Sequence, residues 1–225
     1  MILKKVLLAG MVLALAPVVA AHADAIGTTD TFTLSVDTCG CGTGSAFGTI
    51  TLTQTATGVV TVLETLNTGT AFVGTGAGNS LVFDLTGDPT VTIGNLTTGF
   101  NVTSPANDSP FSTGDYAVTC DPASCGPGAS KTNLGPLSFT VTDGAGVNVS
   151  QFSAIETGYD GTGVSKPTNI FFSSDVIGLG GKTGVVGAGP GTLSITPTPE
   201  PSSLALLGTG ALALAGVVRR KFRRA

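Results

Sequence analysis

Residues 49–66, TITLTQTATGVVTVLETL, decide the fold class. From Thr49 to Thr55 the threonines alternate with Ile50 and Leu52, so one face is apolar and the other carries hydroxyls. Alternation with a period of two belongs to a strand, because successive side chains leave a pleated backbone on opposite sides. Thr, Val and Ile are also the residue types that suit a half-buried pleated surface. Ala56-Thr57-Gly58 turns the chain, and Val59 to Leu66 returns with Val60, Val62 and Leu66 available to one face. The stretch predicts a β-hairpin.

The same period recurs on both sides of it. Upstream, Phe32, Leu34 and Val36 share a face of residues 31–37. Downstream come Leu81, Phe83 and Leu85, then Val91 and Ile93, Phe100 and Val102, Tyr116 and Val118, and Leu137, Phe139 and Val141. Val147, Val149 and Phe152 are expected to open a further strand that ends near Glu156. Ile170, Phe171 and Phe172 mark another, and Leu193 with Ile195 the last. Residues 103–114 read as a loop without periodicity, and residues 178–191 as too rich in glycine to carry a core. No long helical pattern interrupts this series. About nine to eleven short strands between turn residues predict an all-β body, an antiparallel β-sandwich or jelly-roll-like fold. Phe32, Phe47, Phe72, Phe83, Phe139, Phe152, Phe171 and Phe172 are the expected core. Burying each contributes roughly 1.5–3 kcal/mol.

Residues 1–23 read as a secretory signal peptide. Lys4 and Lys5 supply the charged start, Val6 to Ala16 an apolar helical core, and Ala21-His22-Ala23 a cleavage site for signal peptidase. Cleavage removes His22, the one histidine, so imidazole triads and histidine metal sites are excluded from the mature chain. Residues 24–196 then form one secreted body. Between Asp24 and Thr198, thirteen carboxylates stand against Lys131, Lys166 and Lys182. Such a surface excludes nucleic acid as a partner, since phosphate neutralisation needs basic groups. It equally disfavours adsorption to anionic lipid.

The end of the chain, residues 197–225, has three parts in order. Pro197, Pro199, Glu200 and Pro201 form a stiff segment, residues 202–218 are uncharged, and Arg219, Arg220, Lys221, Arg223 and Arg224 form a basic stop. At 1.5 Å per residue a helix over the uncharged run spans about 25 Å, the lower limit for a transmembrane segment. Basic residues at one end favour the cytoplasmic side. The arrangement Pro199-Glu200-Pro201, apolar run, arginine-rich terminus resembles the PEP-CTERM sorting signal of Gram-negative bacteria. Many members carry Val before the first proline, where this chain has Thr198. Similar tails also bear the label of an ice-binding-protein C-terminal domain, which describes the tail and implies nothing about ice. The resemblance implies export, anchoring in the inner membrane, cutting near the motif by exosortase (a membrane cysteine protease), and passage to the cell surface or extracellular matrix. It also implies an association with exopolysaccharide and biofilm.

Cys39, Cys41, Cys120 and Cys125 are an even set in an exported chain and point to disulfides. On an extended strand Cys39 and Cys41 point the same way, which disfavours a bridge between them. Cross-links from the 39/41 segment to the 120/125 segment are therefore expected, in either of two forms. A four-thiolate metal site is the lesser reading, because C-x-C departs from knuckle spacing and export favours oxidation.

No catalytic pattern emerges, and the chain is expected not to be an enzyme. Gly181-Lys182-Thr183 lacks the earlier glycine of a phosphate loop, since Val176 stands there. Glu64 and Glu156 are the only glutamates of the body, and nothing in the sequence around them marks a buried or paired acid. Asp84, Asp88, Asp108, Asp115, Asp143 and Asp160 sit in turns where they could hold a weak Ca²⁺, without EF-hand spacing; no other cofactor is implied. Threonine ladders regular enough for an ice-binding plane are not maintained along the chain. These features describe an exported protein of structural or adhesive type. The alternatives are a carbohydrate- or calcium-dependent binding module, for which Tyr116 and Tyr159 are the only tyrosines, and a histidine-free polysaccharide hydrolase needing a carboxylate pair.

Overall fold

The computed structural model describes residues 24–42, 46–75, 78–103, 106–108, 111–155, 157–159, 165–167 and 169–194. The expected signal peptide with Ala21 and Ala23, together with Glu156 and Asp160, lies outside these residues. So does the tail with Pro199, Glu200, Pro201, the apolar run and its basic stop. No helix among the described residues is long and apolar enough to cross a membrane.

The body is predominantly β. The strands are β1 (Thr29–Asp37), β2 (Gly48–Ala56), β3 (Val59–Leu66), β4 (Ala71–Phe72), β5 (Leu81–Phe83), β6 (Thr92–Gly94), β7 (Phe100–Thr103) and β8 (Ala106–Asp108). They continue with β9 (Ser112–Gly114), β10 (Tyr116–Cys120), β11 (Leu137–Thr142), β12 (Thr157–Tyr159), β13 (Ser165–Pro167), β14 (Phe172–Ile177), β15 (Thr183–Ala188) and β16 (Thr192–Ser194). The hydrogen-bonded order is β6-β11-β3-β2-β1-β15-β14-β5-β10-β7, with β16 beside β1 and β4 beside β14. All these pairings are antiparallel. Hairpins β8–β9 and β12–β13 stand apart from this sheet.

The sheet is nearly closed on itself. Its two end strands, β6 and β7, are joined by residues 95–99 alone. Inside, Phe83 of β5 stacks on Phe139 of β11, on Phe152 and on Tyr116, and Phe32 meets Phe172 edge-on at 4.8 Å. Seven of the eight expected core phenylalanines are buried, and Phe171 is half-buried against them. The antiparallel β body is as expected, but its opposing faces belong to one continuous sheet.

The hairpin at residues 49–66 forms as its alternation requires. Ile50 faces Glu64, Leu52 faces Val62, and Gln54 faces Val60. Thr57-Gly58 makes the turn; Gly58 has φ +69°, and a Cβ there would lie 2.7 Å from the Asp143 carbonyl oxygen. The inward face is longer than the apolar pattern suggested, because Gln54 and Glu64 are fully buried as well. Gln54 is held by its own hydrogen bonds: Nε2 donates to the carbonyls of Ala56 and Val147, and Oε1 accepts from the Val149 N–H.

Four expectations need correction. Val36 is exposed, because the β1–β15 register slips between Leu34 and Val36. Residues 103–114 hold the β8–β9 hairpin. Val149 and Phe152 are buried on a 3-10 turn, Val149–Ser153, where Asn148 and Gln151 form a capping box; they are not on a strand. Residues 178–191 contain β15, which sits mid-sheet between β1 and β14. There the glycines allow close approach: a Cβ on Gly184 would lie 2.6 Å from Cys39 Cβ, and one on Gly187 3.0 Å from Ile170.

Candidate functional site

The cysteines pair locally. Cys39 is bonded to Cys41 and Cys120 to Cys125, with Cα–Cα distances of 5.1 and 5.7 Å. The expected cross-links between the two segments are not formed. The premise of an extended strand fails, because β1 ends at Asp37 and the chain then wraps around that residue's carboxylate. Asp37 Oδ1 accepts from the N–H groups of Cys39 and Cys41, and Oδ2 from Gly42. At the other pair, Asp121 turns the chain after β10, accepting from the Ala123 N–H through Oδ1 and from Cys125 N–H through its carbonyl.

Asp37, Cys39 and Cys41 are the only three such groups among the described residues with ligand atoms all within 4.8 Å of one another. The sulfurs are spent in a disulfide and offer no thiolate to a metal. Burial pushes the Asp37 carboxyl up, but the backbone N–H donors of residues 39–42 outweigh it and hold it below its ordinary value. This cluster is a turn staple.

The acids expected in turns do gather, around Tyr116. Asp84 Oδ1 accepts the Asp115 N–H at 2.7 Å. Burial, with the nearby charges of Asp115 and Asp88, raises the Asp84 carboxyl despite that bond. Tyr116 is raised by burial and then by Asp115, Asp88, Asp84 and Asp143 together. Its hydroxyl donates to the Pro89 carbonyl, and its ring stacks on Phe83 with centroids 5.4 Å apart. Beside it opens a groove of about 420 Å³, lined by Asp88, Val91, Ile93, Val102, Asp115 and Tyr116 among others. The described carboxylates here do not converge as a three-ligand set. Asp108 lies on β8, and Asp160 lies outside the described residues.

Two buried acids were not legible. Glu64 is fully buried on β3 between Ile50 and Leu137, its neighbours across the ladders. Asp175 is fully buried on β14, where Thr75 donates its N–H and hydroxyl to the carboxylate at 2.7 Å. Burial raises the Asp175 carboxyl, and the Thr75 bonds offset this in part. The one signal for Asp175 is its place between two apolar pairs, Phe171-Phe172 and Val176-Ile177.

The threonines form an array that the linear spacing concealed. Antiparallel registers set Thr29, Thr53 and Thr61 side by side across β1, β2 and β3, and likewise Thr33, Thr49 and Thr65. This face is hydroxylated and lies on the outside of the sheet.

A family profile for the PEP-CTERM protein-sorting motif matches residues 197–224. The chain carries a PEP-CTERM sorting motif. No curated protein and no solved structure matches the chain. The PEP-CTERM match covers Pro199-Glu200-Pro201, the apolar run and the basic residues through Arg224. It marks an exported protein that is membrane-anchored before exosortase processing.

Proposed function

We propose that the body is a non-catalytic structural or adhesive protein of the cell surface or extracellular matrix. The observation that carries this reading is the PEP-CTERM motif at residues 197–224, behind a body that contributes only three lysines against thirteen carboxylates. Two features of the body support it. The interior of the sheet is filled by stacked phenylalanines, and the outer face of β1–β3 presents rows of threonine hydroxyls. Signal peptidase and exosortase are the processing enzymes in this reading, and exopolysaccharide is the proposed matrix partner.

The test compares intact mass and location of the protein in cells with and without exosortase, and the cohesion of matrix with and without the protein. The reading expects a species beginning at Asp24 and ending near Pro199, outside the cell and absent without the enzyme, and weaker matrix in the deletion strain. A full-length chain retained in the membrane of both strains overturns it, as does matrix of unchanged strength.

A further inference from the structure

We propose that the groove between β6 and β7 takes an extended basic peptide from a partner protein, which adds as a strand where the sheet fails to close. The two strands are the ends of the hydrogen-bonded path: β6 pairs only with β11 and β7 only with β10 among the described residues. Each therefore keeps one row of ladder N–H and C=O groups without a strand partner, the feature that strand addition uses.

The side chains in the gap belong to the inside of the sheet. Val102 lies opposite Val118, and Ile93 opposite Val141, and both partners are fully buried core residues. Directly opposite residues share a face of the sheet, so Val102 and Ile93 face inward. Val102 is nevertheless 49% exposed, and among the described residues no strand pairs with the free edge of β7 beside it. The groove of about 420 Å³ has Val91 and Ile93 on one wall and Val102 and Tyr116 on the other. Its volume lies in the range of pockets that hold small ligands, and its flanking strands are three and four residues long.

Charge selects the occupant. Asp88 and Asp115 line the groove, and Asp84 and Asp143 add to the negative field at Tyr116. A second copy of this chain would bring two such acidic rims together. A sugar would find Tyr116 already committed to Phe83 through its ring and to Pro89 through its hydroxyl. An extended peptide with alternating aliphatic and basic side chains satisfies the edges, the inward-facing surface and the carboxylates at once.

The inference deepens the adhesive reading above, which supplies its setting, but the groove is tested on purified protein, so either can fail alone. The probe is a ten-residue peptide alternating valine with lysine or threonine, with a glutamate counterpart and a partly deacetylated chitin oligomer as comparators. Binding to the full chain in uncharged detergent is followed by titration and by amide hydrogen exchange. The proposal expects slowed exchange at residues 92–94 and 100–103 with the lysine peptide only, and binding that weakens as salt rises. Val102→Arg, at a half-exposed position, should weaken binding about tenfold by placing a like charge in the groove; Asp88→Asn with Asp115→Asn should weaken it and flatten the salt dependence. No binding, protection elsewhere, equal binding of the glutamate peptide or the chitin oligomer, or protection of both edges by self-association without peptide overturns it.

Discussion

Phe83 and Phe139 stack with ring centroids 6.0 Å apart, although their strands stand six positions from each other in the hydrogen-bonded order. Contact at that remove exists only because the sheet curls round one interior. Phe83 also meets Tyr116, Phe152 and Phe172, so it joins the walls on several sides. Phe83→Ala should cost about 3–5 kcal/mol, the range for emptying a buried aromatic site. Urea unfolding followed by far-ultraviolet circular dichroism reads this in a chain without tryptophan. A loss under about 1 kcal/mol would show that the interior is not built around this ring.

Stability should peak near pH 4. Burial raises the folded-state carboxyls of Asp30, Asp84 and Asp175. The folded protein therefore binds more protons than the unfolded chain between about pH 3.9 and those raised values, and stability falls as pH rises through that window. Asp37 is lowered once its N–H donors outweigh burial, and Asp121 is lowered by the Ala123 N–H and the Asn101 amide. Their stabilisation is present above about pH 3.9 and is lost as pH falls toward the lowered values. Asp175→Asn should flatten the upper limb and leave the lower one. Urea midpoints across roughly pH 3–8 measure both limbs, and a midpoint that climbs from pH 4 to 7 would contradict the assignment.

Each disulfide should stay within one short segment. Cleavage at acidic residues under non-reducing conditions should leave Cys39 with Cys41 and Cys120 with Cys125, and mass spectrometry should find no peptide joining the two regions. The Cys120–Cys125 loop is short, so Cys120→Ser with Cys125→Ser should cost only about 2 kcal/mol by chain entropy. A bridge across the sheet would close a loop of about eighty residues and cost nearer 4–5 kcal/mol.

The hairpin at residues 49–66 was legible because one face is apolar at every second position and the other is not. What the alternation could not show was where the inward face ends. Gln54 and Glu64 continue it as polar residues, and only the surroundings reveal that they are buried. Residues 178–191 are deceptive for the opposite reason. Glycine there looks like a loop in the sequence, yet it is the small residue that lets β15 lie close under Cys39 and Ile170. The disulfide pairing is not legible because an aspartate at residue 37 does not announce that four backbone N–H groups will fold round it. The groove is illegible for a more general cause. Val91, Ile93 and Val102 have the inward period of any strand, and the exposure of Val102 depends on two sheet edges that flank a gap without pairing among the described residues.

Gly184→Ala tests the close approach together with the backbone at this site, where φ is +155°. The added methyl would sit 2.6 Å from Cys39 Cβ, and the neighbouring atom belongs to a bridged residue with little freedom to move. The substitution should cost about 1–3 kcal/mol, the range for overpacking, where alanine in an ordinary strand position would gain. Gly180→Ala, with nothing within 4 Å of its added Cβ, is the control and should leave the urea midpoint nearly unchanged. Equal effects at the two sites would show that β15 does not lean on the Cys39 turn.

Calcium should act on this body only as salt. Asp84, Asp88, Asp115 and Asp143 share an electrostatic neighbourhood, but a calcium site needs six to eight oxygens at 2.3–2.6 Å. Among the described residues these carboxylates do not come within 4.8 Å of one another as a group of three, and Asp84 already accepts the Asp115 N–H. The expected gain in melting temperature with CaCl₂ therefore equals that with NaCl at the same ionic strength, since both merely screen the carboxylates. Asp84→Asn and Asp115→Asn should shrink the two gains alike. A calcium-specific rise at sub-millimolar concentration, abolished by either substitution, would mean that the carboxylates close around the ion when it is supplied.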